Sequence, residues 1–146
     1  MLIGRVEGRD VVLWSDASES AVALPDSRAR WEAIWSRRDD VVEIAHSHPV
    51  GPEAFSREDE TTMGALVTAL GRPLTFSVVA PNRMVRCSFD NARSNEHYVT
   101  SFVEDEPWWA SLLRLASSMR LCTTPPPTPS PTPTGEPQIP KAPKEE

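Results

Sequence analysis

Val41-Val42-Glu43-Ile44-Ala45-His46-Ser47-His48-Pro49, followed after a short loop by Ser56-Arg57-Glu58-Asp59, is the stretch from which this chain is best read. The apolar run Val41, Val42, Ile44 and Ala45, broken only by Glu43, predicts a strand, and Pro49 with Gly51-Pro52 stops it. On a strand, residues i and i+2 point to the same side, so His46 and His48 aim both imidazoles at one place. After the loop a helix is predicted. Ser56 is a good N-cap, Asp59 falls at the third helical position, and Met63, Leu66, Val67 and Leu70 recur at i, i+3, i+4 and i+7. Gly71 and Pro73 end it. Asp59 thus sits on the first helical turn, where the macrodipole favours an ionised carboxylate.

A strand that offers two imidazoles and a helix start that returns one carboxylate make a three-ligand metal set at His46, His48 and Asp59. Zinc suits it, with nitrogen ligands at about 2.0–2.1 Å. Two neutral rings and one carboxylate leave a fourth position open, which is the layout of a catalytic rather than a structural site. A lone His-x-His pair reads more simply as a surface or core accident. What distinguishes this one is the strand, the abrupt stop, the cap and the carboxylate arriving together.

His46-Ser47-His48-Pro49 followed by Ser56-Arg57-Glu58-Asp59 resembles the signature of the JAMM (MPN+) metalloproteases, the family of the proteasome-lid and signalosome isopeptidases and their bacterial relatives. The resemblance spans residues 1 to about 120, and its specific part is 46–59. It implies zinc held by His46, His48 and Asp59, and a Ser56 hydroxyl that helps hold the oxyanion of a tetrahedral intermediate. Plain N-capping, worth about 1 kcal/mol, is the competing role for Ser56. The resemblance also implies a glutamate, upstream in sequence, that moves the proton from the metal water to the leaving amine. The matching stretch is Leu2-Ile3-Gly4-Arg5, so that glutamate is expected before Met1. Glu7 is the nearest substitute within the chain, yet five residues of strand displace a side chain by roughly 16 Å. Glu19 falls in a turn-like segment, Glu32 on the polar side of a helix, and Glu43 at odd parity to the two histidines.

Composition divides the chain. From Cys122 to Glu146 lie nine of the fifteen prolines, interspersed with threonine and with few large apolar residues. Such a segment cannot bury enough surface to offset its chain entropy, so residues 122–146 are expected to be a disordered tail and residues 1–121 one domain. A net charge of −6 with scattered basic residues argues against nucleic acid as a partner. Cys87 and Cys122 make no disulfide framework, and Cys87 reads as a small buried hydrophobe. There is neither a signal-peptide core nor an apolar run of membrane-spanning length, so a cytoplasmic location is expected.

The rest reads as follows. Leu2 to Val6 and Asp10 to Trp14 form a hairpin around Glu7-Gly8-Arg9. A helix opened by Leu24-Pro25-Asp26-Ser27 runs to Arg38, packing Trp31, Ile34 and Trp35. Leu74 to Ala80 and Met84 to Phe89 are strands joined at Pro81-Asn82. A helix from Pro107 carries an apolar stripe of Trp108, Leu112, Leu115 and Met119, widened by Trp109, Leu113 and Ala116, and docks on the sheet or on a partner. His97 reads as a surface residue. This order is an α/β sandwich, a mixed sheet flanked by helices, similar to the MPN core. The resemblance implies a zinc-dependent peptidase or isopeptidase acting on the C-terminal tail of a ubiquitin-like or sulfur-carrier protein. Two alternatives stand beside it. One is an MPN binding or scaffolding module without catalysis, contacting a partner through the 107–120 helix or the proline-rich tail. The other is a RadC-like protein, disfavoured because Phe55 precedes the serine where that branch has proline.

Overall fold

The computed structural model describes residues 1–16, 28–90 and 97–119; the start of the first helix, Glu19 and the 122–146 tail lie outside them. Strands β1 (Leu2–Val6) and β2 (Arg9–Trp14) form the expected hairpin. Val6 pairs with Arg9 across a two-residue turn, and both turn residues have positive φ, 50° at Glu7 and 78° at Gly8. That conformation matches the twist of a tight hairpin and explains the glycine. Next come α1 (Arg28–Ser36), β3 (Val41–Ser47), α2 (Arg57–Leu70), β4 (Thr75–Val79), β5 (Met84–Asp90), β6 (His97–Phe102) and α3 (Trp108–Ala116).

The described strands build one mixed sheet in the order β2-β1-β3-β4-β5-β6. Only β3 and β4 are parallel, since α2 crosses over between them; every other pairing is antiparallel. A register shift between Ile3 and Gly4 of β1 sets Val41 on the same face as Ile44 and, two residues on, His46. One layer of core joins Leu2, Val41, Phe76 and Cys87 to Ile34 of α1 and Leu66 of α2. The other joins Ile3, Ala45, Val79 and Met84 to Trp109, Ala110 and Leu113 of α3. The expected α/β sandwich is therefore present, with α1 and α2 on one side of the sheet and α3 on the other. Cys87 is buried as expected.

Three expectations are corrected. Of the expected packing face of α1 only Ile34 is buried; Trp31 and Trp35 are exposed, and the guanidinium of Arg38 lies 5.1 Å over the Trp35 ring. The buried face of α3 is shifted: Trp109 and Leu113 of the expected stripe are buried together with Ala110, while Trp108, Leu112 and Leu115 are exposed. The small Ala110 lets the helix lie close to Ala45 of β3, and Arg114 fixes its rotation by donating to the Ala80 carbonyl and forking onto Glu106. Finally, the predicted elements lack a strand: β6 begins at His97, which is exposed as expected, and pairs along β5 from Asp90–His97 to Val85–Phe102. Among the described residues, no helix is long and apolar enough to cross a membrane.

Candidate metal centre

The site lies where β3 ends and α2 begins. His46 and His48 share a face of the β3 end, and His48 is anchored there because its N–H donates to the Val79 carbonyl. From the opposite face, the hydroxyl of Ser117 at the end of α3 donates to Ser47, between the two histidines, at 2.8 Å. Thus a core helix holds the histidine-bearing strand from behind.

Ser56 caps α2 as anticipated, and the cap is a full capping box. The Asp59 N–H donates to Ser56 Oγ at 3.1 Å, and the Ser56 N–H donates to Asp59 Oδ2 at 2.7 Å. Gly71 closes the helix in the left-handed conformation, φ 65°, with its N–H on the Val67 carbonyl.

These local choices bring the three candidate ligands together. His46 Nε2 is 3.0 Å from Asp59 Oδ1, His48 Nε2 is 3.4 Å from Asp59 Oδ2, and the two Nε2 atoms are 3.1 Å apart. One ligand atom from each residue lies within 4.8 Å of the others, so the group could hold a metal ion. Its donors fit one. Two imidazole nitrogens and a carboxylate oxygen converge, and His48 Nδ1 lies 3.0 Å from the Pro52 carbonyl. Donation of Nδ1–H to that carbonyl leaves the Nε2 lone pair free for an ion. Pro52 is a partner the sequence did not announce, since a loop carbonyl carries no motif.

Burial alone would raise the Asp59 carboxyl, but hydrogen bonds from His46, His48 and the Ser56 N–H hold it well below the usual carboxylate range. The Asp59 carboxylate in turn raises His48 above its ordinary value, against burial and with help from the Pro52 carbonyl. The sign of the pH dependence follows. A raised histidine adds stability below about pH 6.5 that is lost as pH rises through its folded value, whereas a metal needs the neutral ring. From about pH 6 to about pH 8, chelator-treated protein should therefore melt at falling temperature on His48's account, while the increase in melting temperature on adding zinc should grow. Parallel changes in the two would contradict the shared role of His48.

The proposed base is not brought to this group. Glu7 sits in the β1–β2 turn, whereas it is the Met1 end of β1 that pairs with Ala45, one residue before His46. The Met1 amine donates to the Ala45 carbonyl at 2.8 Å, and burial, then Arg30, lower it to about 6. Glu43 is buried on the other face of the sheet, where it accepts hydrogen bonds from Ser77 and from Arg86 at 3.0 and 3.2 Å. Glu32 pairs with Arg28 on the surface and Glu53 with Arg83.

No curated protein and no solved structure matched the chain. A family model described as prokaryotic homologs of the JAB domain matches residues 1–100, which take in every strand from β1 to β5, both histidines and the capped aspartate. With that match over more than half its length, and the expected mixed sheet and helices around a His-His-Asp group, the chain belongs to the prokaryotic JAB-domain family.

Proposed function

We propose that this protein is a zinc-dependent hydrolase of amide bonds whose substrate is the C-terminal tail of a ubiquitin-like or sulfur-carrier protein. The observation that carries this reading is the convergence of His46 Nε2, His48 Nε2 and an Asp59 oxygen at the head of α2 in a JAB-family chain. Bound there, zinc supplies Lewis acidity toward a carbonyl oxygen and acidifies a water to a pKa of about 7.

The chain's own residues do the rest. His48 is held in one tautomer by Pro52, and Asp59 carries the negative charge. Ser56 Oγ accepts the Asp59 N–H, which leaves its O–H proton free to donate to an oxyanion. Capping and oxyanion support therefore use different capacities of one hydroxyl and do not compete.

Amide hydrolysis also needs a group that takes a proton from water and gives it to the leaving amine. Because β1 runs antiparallel to β3 with Met1 opposite Ala45, residues preceding Met1 in a longer chain would continue past His46. A glutamate there is the base this reading requires. A binding module without catalysis is the second reading, favoured by the engagement of Glu32, Glu43 and Glu53 elsewhere.

The test is hydrolysis of a C-terminal amide fusion of a ubiquitin-like protein. The assay uses the 146-residue chain and a form carrying an upstream segment with a glutamate. The 146-residue chain should be slow, and the extended form faster by about 10²–10⁴-fold. Activity that survives both Asp59→Ala and a chelator would overturn the mechanism. Two zinc-loaded forms without activity would overturn the hydrolase reading and leave the binding module as the favoured one.

A further inference from the structure

The fold holds the three ligands in unequal ways. His46 and His48 are strand residues set by the sheet, whereas Asp59 is itself part of the cap that starts a helix. Its Oδ2 accepts the Ser56 N–H at 2.7 Å, and its Oδ1 faces His46 Nε2 at 3.0 Å. Oδ1 faces the histidine pair alone, while Oδ2 serves the helix end and also lies 3.4 Å from His48 Nε2. The loop between the ligands is tied at both ends to the histidines. Near its start the Pro52 carbonyl meets His48 Nδ1, and near its end the Phe55 ring stands edge-on to the His46 ring, with centroids 6.4 Å apart.

We propose that Ser56 is a positioning residue for Asp59, and that the capping box couples metal occupancy to the order of the first turn of α2. The inference rests on the metal reading above and extends it.

The physical reason is reciprocity. The two capping hydrogen bonds close a ring that fixes the Asp59 side chain, so the carboxylate cannot turn away from the imidazoles without releasing the Ser56 N–H. A helix end has no intrahelical partners for its first N–H groups and opens more readily than the middle. A cation bound by the Asp59 carboxylate would restrain the same group that closes the cap, so metal binding and closure of the turn would each favour the other. Ser56 then affects metal binding without touching the ion, as outer-shell partners of metal ligands do.

The test compares wild type, Ser56→Ala and Ser56→Thr, titrated with Zn2+, with Co2+ as the spectroscopic probe and amide hydrogen exchange as the structural one. Zinc should slow exchange at the amides of residues 57–60 in the wild type. Ser56→Ala should weaken zinc binding by about tenfold and change the visible absorption of bound cobalt, and Ser56→Thr should restore both. A purely structural cap would lower the melting temperature of Ser56→Ala but leave the cobalt spectrum unchanged. Equal zinc affinity and an unchanged cobalt band in Ser56→Ala would overturn the proposal, as would exchange at residues 57–60 that ignores zinc. Should Ser56→Ala fail to fold, the exchange measurement on the wild type still decides. Wild type that takes up no zinc would sink the metal reading and this one together. Wild type that binds zinc, His48→Ala that does not, and Ser56→Ala that matches wild type would sink only this one.

Discussion

Replacing His48 by alanine should take the zinc content of the purified protein from near one equivalent per chain to almost none. His48 supplies one of the three donors, and its Nδ1 contact with Pro52 is what keeps Nε2 available. Removing an outer partner of a ligand weakens binding by about 10–100-fold, so removing the ligand itself should do more. His46 and Asp59 would remain 3.0 Å apart, but two donors leave half of a tetrahedral zinc shell to water. The substitution should leave the fold intact, because His48 lies outside both core clusters. Elemental analysis beside a circular-dichroism spectrum checks both halves of the expectation. Equal zinc in a folded His48→Ala protein would remove His48 from the site.

Trp109→Ala should destabilise the protein by about 3–5 kcal/mol, and Trp108→Ala by far less. Trp109 is 0% exposed among Ile3, Ala45, Val79, Met84 and Leu113, whereas Trp108 is 57% exposed. Truncation at 109 opens a cavity behind the metal strand and removes the donor that Asp10 Oδ2 accepts at 3.2 Å. Asp10 keeps its ion pair with Arg5, so packing rather than an unpaired charge dominates the loss. Thermal melts of the two variants should differ on the order of 10 °C or more. Similar melting temperatures would mean that α3 does not present Trp109 to the sheet.

How far the sequence could be read depended on whether a local rule applied. The Ser56 cap, the Gly71 terminator and the i, i+3, i+4, i+7 pattern each act within a few residues, and α2 appears where they put it. Strand parity set His46 and His48 on one face and Glu43 on the other for the same reason. Strand β6 was missed because its pattern does not alternate: the polar residues His97, Thr100 and Ser101 interrupt Tyr98, Val99 and Phe102, and the strand lies at an edge where no apolar alternation is needed.

The sequence by itself determined the histidine-bearing strand, the capped helix and the candidate ligand set, since these rest on backbone sterics, side-chain alternation and capping, all short in range. Only the tertiary structure decided which side of α3 is buried, because Trp108, Leu112 and Leu115 recur at helical spacing as well as Trp109, Leu113 and Ala116, so the sequence offers two adjacent apolar stripes. That choice fell to contacts distant in sequence: Ala45 and Val79 receiving Trp109 and Ala110, and Ala80 accepting Arg114. The same holds for Glu7 and for Pro52. Pairing of Met1 with Ala45 carries the Glu7 turn away from the histidines, and the path of the 49–56 loop brings the Pro52 carbonyl to His48. Neither is encoded at its own position, because each follows from where a second, remote segment lies.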